Sequence, residues 1–213
     1  MTINLKNFLS SNKKTSKMGD FQELKDIEGL QVSAVSSDLY KNGRDDLSLF
    51  YFPEGSNYAV AYTKNSIVSE SISWNRKNTK SNIKALVVNT KNANTFTGEQ
   101  GLTSLDEIAK TLLEYLKKLE IDNGYDKTKI KDILFASTGV IGEIFPVEKI
   151  KKNISNLVSN LRINQNKLIW LKVASAIMTT DTKPKVAYSE IKLGEKKVRI
   201  AGIAKGSGMI APN

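Results

Sequence analysis

The sequence predicts a mixed α+β fold of the α/β class, with layered mixed sheets and flanking helices. Three observations carry this. Four strand-like runs precede the first firm helical pattern, three helices with apolar residues at three- and four-residue spacing follow, and a hairpin pattern comes near the carboxyl end. Strands grouped ahead of helices argue for an antiparallel or mixed sheet rather than a simple βαβ series. At 213 residues the chain can bury a proper core. No internal repeat, low-complexity tract or linker interrupts it, so residues 1–213 are expected to form one unit.

Residues 1–28 are polar and lysine-rich, as in Asn12-Lys13-Lys14-Thr15-Ser16-Lys17, and are expected to contain a leading arm. Gly29 to Val35 alternates apolar and polar residues, the period of a strand. Asn42-Gly43 is a turn signal, and Leu47-Ser48-Leu49-Phe50-Tyr51-Phe52 follows as a second strand. Pro53-Glu54-Gly55 turns the chain into a third run, Tyr58 to Thr63, and Ile83 to Asn89 reads as a buried fourth. The first helix is expected to begin near Ser104, which has capping-box spacing to Glu107. Leu105, Ile108, Leu112, Leu116 and Leu119 give it one apolar face, and Asn123-Gly124 ends it.

Ile133 to Ala136 is a buried strand that runs straight into Ser137-Thr138-Gly139. Pro146 suits the first turn of a second helix, with Ile150, Ile154, Leu157 and Leu161 inward. A third helix, from about Gln165 to Met178, points Leu168, Leu171, Ala174 and Ser175 inward. Val186 to Ile191, a turn at Gly194-Glu195 and Val198 to Ala201 make the hairpin.

Composition removes several kinds of chemistry. With no cysteine, disulfides, thiolate catalysis and Cys-based metal sites are absent, and a reducing cytoplasm is the expected location. With no histidine, no Ser-His, Cys-His or His-metal arrangement can be built from this chain alone. No metal and no cofactor are expected. No apolar run approaches the ~20 residues that span a bilayer, and the amino terminus lacks a secretory pattern, so no membrane partner is expected. The net charge of +10 is a possible phosphate-binding signal. The lysines are scattered among acidic residues, however, with no recognisable reading module, which favours solvated surface over a nucleic-acid partner.

Four polar or glycine-rich stretches could carry chemistry. Asn89-Thr90-Lys91-Asn92-Ala93-Asn94-Thr95-Phe96-Thr97-Gly98 follows a strand, and its amides and hydroxyls can either orient a polar substrate or satisfy their own loop backbone. Ser137-Thr138-Gly139-Val140-Ile141-Gly142 can present a backbone N–H beside a hydroxyl, the equipment of an oxyanion hole, or it is a turn that needs glycine. Thr179-Thr180-Asp181-Thr182 can hold the polar atoms of a ligand or serve only as a helix cap and turn. The last stretch, Gly202 to Asn213, sets Lys205 beside Gly206 and Gly208, placing an ammonium at a sharp turn where it can meet an anion. The chain stops there without a closing helix, as expected of one piece of a longer product.

Together these stretches resemble the ornithine acetyltransferase (glutamate N-acetyltransferase) family of arginine biosynthesis. Ser137-Thr138-Gly139-Val140-Ile141-Gly142, Ala176 to Thr182 with Pro184-Lys185, and Gly202 to Asn213 look like its signatures in the right order. Asn42-Gly43-Arg44-Asp45-Asp46-Leu47 looks like its early Gly-Arg-x-Asp-Leu segment, and Asn92-Ala93-Asn94 like its Asn-rich loop. The resemblance extends from about Gly29 to Asn213. One departure is Thr90-Lys91, where the family usually has Ser-Gly.

The resemblance implies an α chain of a precursor that cleaves itself before a threonine, which becomes the nucleophile at the start of a β chain. The family's usual continuation is Met-Ala and then that threonine, so the nucleophile is expected beyond Asn213. Such a threonine can use its own α-amine as general base, which removes the need for histidine or cysteine. By position, Thr138 and Gly139 match the family's oxyanion pair, and Thr179 and Lys205 match substrate-binding residues. The implied fold is layered and completed by the second chain. The implied reaction is ping-pong transfer of acetyl from N-acetylornithine to glutamate, with acetyl-coenzyme A a donor in some members, in a cytoplasmic α2β2 heterotetramer. A self-cleaving aminopeptidase or amidase of related fold and a basic nucleic-acid-binding module are the alternatives.

Overall fold

The computed structural model describes residues 24–79 and 82–207. Most of the expected leading arm, residues 1–23, and the Gly208 to Asn213 end of the terminal motif lie outside the described residues. The regular elements are β1 (Gln31–Val35), β2 (Leu47–Asn57), α1 (Glu70–Asn78), β3 (Asn82–Asn89), α2 (Gly98–Asn123), β4 (Ile133–Ser137), α3 (Val147–Ser159), α4 (Lys167–Ala176), β5 (Lys185–Leu193) and β6 (Lys196–Ala204).

Strands β1 to β4 form one sheet in sequence order. The first three are antiparallel, whereas β3 and β4 are parallel, so the sheet is mixed as expected. A parallel neighbour requires a crossover, and α2 supplies it. The alternation along each strand then sorts the side chains onto two faces. Leu47, Leu49, Tyr51, Ala85, Val87, Ile133 and Phe135 pack with α1, α2 and α3 through Trp74, Leu105, Ile108, Leu112, Ile154 and Leu157. On the other face Val32, Ala34 and Phe50 meet Trp170, Val173 and Ala176 of α4, and the β5–β6 hairpin closes over them with Val186, Tyr188, Ala201 and Ile203. Leu112 and Leu116 are fully buried, and burial of a side chain of this size is worth about 1.5–3 kcal/mol.

Several expectations are corrected. Helix α2 begins at Gly98 rather than near Ser104. Its first turn is capped from a distance: the Glu70 carboxylate accepts from the N–H groups of Thr97 (3.1 Å) and Gly98 (2.7 Å). Ser104 lies inside the helix, its hydroxyl donating back to the Gln100 carbonyl at 2.8 Å. Tyr58 to Thr63 is not a strand. Instead β2 runs on through Pro53 with a register shift between Tyr51 and Ser56, the kind of irregularity where a residue without an N–H is tolerated.

Helix α1 was not anticipated, because Ile72 and Trp74 are the only large apolar residues in it. In α4, Leu171 and Ala174 are inward as expected, but Ser175 is only partly buried, Leu168 is half exposed, and Trp170, Val173 and Ala176 are the other buried members. Residues two apart on a helix point about 200° from one another, so burying Trp170 turns Leu168 outward. Within the expected arm of residues 1–28, Leu24 is buried, and Ile27 donates its N–H to the Gln165 side chain at 3.0 Å. Among the described residues, no helix is long and apolar enough to cross a membrane.

Candidate active site

The parallel pairing of β3 and β4 sets Asn89 beside Ser137, so the loops that follow both strands leave the sheet side by side. They are stitched together by their backbones. Thr138 N–H donates to the Asn89 carbonyl (3.1 Å), Val140 N–H to Lys91 (3.0 Å), and Ala93 N–H to Val140 (2.9 Å). The asparagines hold this arrangement from within. Asn92 donates its amide to the carbonyls of Glu143 (3.1 Å) and Ile144 (3.2 Å) and accepts from the Asn94 N–H (2.8 Å), while Asn94 is fully buried. Of the two roles open to this loop, Asn92 and Asn94 perform the backbone-satisfying one.

Gly139 sits where the two loops press together. Its φ is 139°, and a Cβ there would lie 2.2 Å from the Lys91 carbonyl carbon and 2.6 Å from the Asn92 nitrogen. A larger residue cannot take this place without moving backbone. The Gly139 N–H donates to no acceptor among the described residues. Beside it, the Thr138 hydroxyl oxygen accepts from the Lys205 ammonium at 2.6 Å. That bond occupies an oxygen lone pair and leaves the hydroxyl proton available to an outside acceptor.

Lys205 follows β6 directly, and its position is set by a carboxylate that the sequence did not single out for a role. Asp181, whose side chain is wholly buried, accepts from the Gly206 N–H at 2.6 Å, from the Thr179 N–H at 3.4 Å and from the Lys185 ammonium. Burial pushes its pKa up, but the Lys185 bond and the two N–H donors outweigh burial and hold the carboxyl below its usual range. The Thr180 and Ser207 hydroxyls bond one another at 3.0 Å, a second tie between the same two segments.

The early Gly-Arg-x-Asp-Leu-like segment supports this loop from behind. Arg44 donates to the carbonyls of Ser175 (3.1 Å) and Met178 (2.6 Å) at and just past the end of α4, where the Ser175 carbonyl also accepts from the Met178 N–H at 3.2 Å. The buried Asp46 accepts from the N–H groups of Ser37 (2.7 Å) and Leu39 (2.9 Å). Two cations lie near the Tyr40 ring, the Arg44 guanidinium 4.4 Å and the Lys91 ammonium 5.5 Å from its centre.

These segments enclose a cavity of about 560 Å³ whose wall includes Thr138, Gly139, Thr179 and Lys205, all four of the residues predicted for the site. Tyr40 and Lys91 line it too. Tyr40 carried no signal in the sequence, and Lys91 was visible only as a departure from a resembled pattern. Lys91 has φ of 75°, a left-handed conformation that costs a non-glycine residue roughly 1–2 kcal/mol, and glycine would adopt it freely. Chemically the cavity offers a hydroxyl and an N–H side by side, with ammonium groups around them, which suits an anionic or carbonyl-bearing ligand. Among the described residues, no group of three or more acidic side chains is placed to hold a metal ion.

Known proteins share both the sequence pattern and the fold. The ArgJ family model matches residues 31–213. The arginine biosynthesis bifunctional protein ArgJ of Caulobacter vibrioides is 34% identical over 197 residues, 91% of this chain and 45% of that protein. Its counterpart in Gluconobacter oxydans is 38% identical over 192 residues, 90% of this chain and 42% of that protein. The chain thus spans about half the length of the curated relatives it matches. The crystal structure of ornithine acetyltransferase from Mycobacterium tuberculosis, solved with ornithine, has a TM-score of 0.75 at 26% identity, covering 90% of this chain and 98% of that one. The arginine biosynthesis bifunctional protein ArgJ of Bacillus halodurans gives a TM-score of 0.75 at 24% identity, covering 91% and 97%.

Proposed function

Since the chain belongs to the ArgJ family, we propose that residues 1–213 are the α chain of a self-cleaved glutamate N-acetyltransferase. The enzyme takes acetyl from N-acetylornithine and passes it to glutamate by a ping-pong route. The observation that carries this reading is the meeting of Thr138, Gly139, Thr179 and Lys205 on one cavity wall. The two-chain part is supported by coverage: this chain accounts for 97% and 98% of the two solved chains but for 45% and 42% of the two full-length relatives.

In the proposed reaction the threonine that opens the β chain attacks the acetyl carbonyl, and its own α-amine takes the hydroxyl proton. The carbonyl oxygen becomes an oxyanion between the Thr138 O–H and the Gly139 N–H. Lys205 donates to the Thr138 oxygen, which polarises the hydroxyl and makes it a stronger donor. The proton held by the α-amine passes to the departing nitrogen, and the C–N bond breaks. Ornithine leaves, and the acetyl group remains as a threonine ester. Glutamate then attacks that ester through its α-amine and passes once more through an oxyanion at the same donors. The threonine α-amine relays the amine proton to the threonine oxygen as the ester C–O bond breaks, and N-acetylglutamate departs.

The Lys205 ammonium has donors left for the α-carboxylate that both amino acids share, and Thr179, which lines the same cavity, receives the substrate backbone in this reading. We extend the proposal to acetyl-coenzyme A as a second donor, because the matched relatives are described as bifunctional. A cytoplasmic α2β2 assembly completes it, on the resemblance alone.

The test is to incubate the full-length gene product with N-acetylornithine and measure ornithine. Glutamate-dependent release is the expected result. A folded product that releases none overturns the reading, and release indifferent to glutamate points to an N-terminal-nucleophile hydrolase instead.

A further inference from the structure

We propose that Lys91 is a second substrate-binding cation, one that takes the distal carboxylate of the acidic acceptor and so separates it from the basic amino acid that leaves. The inference rests on the acetyl-transfer reading above and names the determinant of acceptor choice within the same cavity.

The backbone of Lys91 is fixed against the oxyanion donors. Its carbonyl accepts from Val140 N–H at 3.0 Å, and its carbonyl carbon is the atom that a Cβ on Gly139 would strike. A lysine rooted there cannot drift away from Thr138 and Gly139. Its φ of 75° is a conformation for which glycine is the unstrained choice, so the turn itself does not call for a lysine. Backbone held in such a region beside a cavity points toward use of the side chain.

The ammonium lies 5.5 Å from the centre of the Tyr40 ring, which supports it without neutralising it. No carboxylate among the described residues forms an ion pair with it. Arg44, the other cation on the same ring, spends its Nη2 donors on the carbonyls of Ser175 and Met178. Of the two cations beside Tyr40, Lys91 is the one that lines the cavity.

The two amino acids of the reaction share an α-carboxylate and differ at the far end. Ornithine carries an ammonium there and glutamate a carboxylate. Lys205 serves the shared group and cannot tell them apart. A second ammonium attracts one distal group and repels the other, so a single residue supplies both the attractive and the repulsive element of selectivity.

The experiment compares Lys91→Gly and Lys91→Arg in the full two-chain protein, with KM and kcat measured separately for each substrate. Lys91→Gly suits the backbone, so loss of folding does not obscure the result. It is expected to raise the KM for glutamate roughly fivefold, the scale of one solvent-accessible ion pair, while the KM for N-acetylornithine stays level or falls. Lys91→Arg is expected to keep the glutamate KM within about twofold, since the charge is retained. An unchanged glutamate KM in Lys91→Gly, or equal rises for both substrates, overturns the role of Lys91 and leaves the acetyl-transfer reading standing. A wild-type protein that releases no ornithine overturns both.

Discussion

At Gly139 one hydrogen atom decides whether the site can form. A methyl group there would come within 2.2 Å of the Lys91 carbonyl carbon, in a backbone conformation that side chains rarely adopt. Gly139→Ala is expected to destabilise the protein by at least about 2 kcal/mol, from overpacking and strained backbone together. Urea unfolding measures it, and a variant as stable as the parent would show that the two loops are not packed as described. The glycine was legible in the sequence because the residues around it, Ser137-Thr138-Gly139-Val140-Ile141-Gly142, form a specific pattern. Tyr40 was not, since an aromatic residue in a polar loop looks the same whether it props a cation or faces solvent. Lys91 stood out as unusual, but its left-handed backbone and its place on the cavity wall depend on contacts with residues some fifty positions away.

Among the elements, the join between α4, β5 and the end of β6 depends on one buried carboxylate. Asp181 binds Thr179 on one side and Gly206 on the other, so it holds both segments that carry Thr179 and Lys205. Its folded pKa is lowered, so on acidification the unfolded chain takes up the proton first. The stabilisation from Asp181 is therefore complete above the unfolded value of 3.8 and is lost as the pH falls through the depressed folded value. Asp181→Asn is expected to lower Tm at pH 6 and to narrow the gap to wild type as the pH drops below about 4. A Tm difference that stays constant from pH 6 to pH 3 would contradict this.

Element boundaries were the least legible feature for a related reason. The cap of α2 comes from Glu70 in α1, well outside any local window, and so Ser104 offered a plausible but false start. Helix α1 owes its existence to the burial of Trp74 against Phe135, rings 4.8 Å apart and edge to face, not to a periodic pattern of its own.

The layered architecture followed from the order of strands and helices, because a sheet with one alternating pattern per face must bury both. The parallel step from β3 to β4 could not be read from that order, yet it builds the site. It brings the ends of two strands together, so the asparagine loop and the Ser-Thr-Gly loop lie side by side. The hairpin closing the opposite face then delivers Lys205 to Thr138 across a separation of 67 residues. Fold and site are thus one piece of geometry, and the proposed chemistry asks this chain for the oxyanion donors while a second chain brings the nucleophile.

The measurement that tests this most directly is kcat for ornithine release by Thr138→Val and Thr138→Ser in the two-chain protein. Valine keeps the shape and removes the hydroxyl, and serine restores it. Loss of one oxyanion donor is worth about 10²–10³ in kcat, so the valine variant should fall by that factor while the serine variant stays within roughly tenfold of wild type. A valine variant that turns over at the wild-type rate would contradict the assignment of Thr138, and with it the claim that this chain stabilises the transition state.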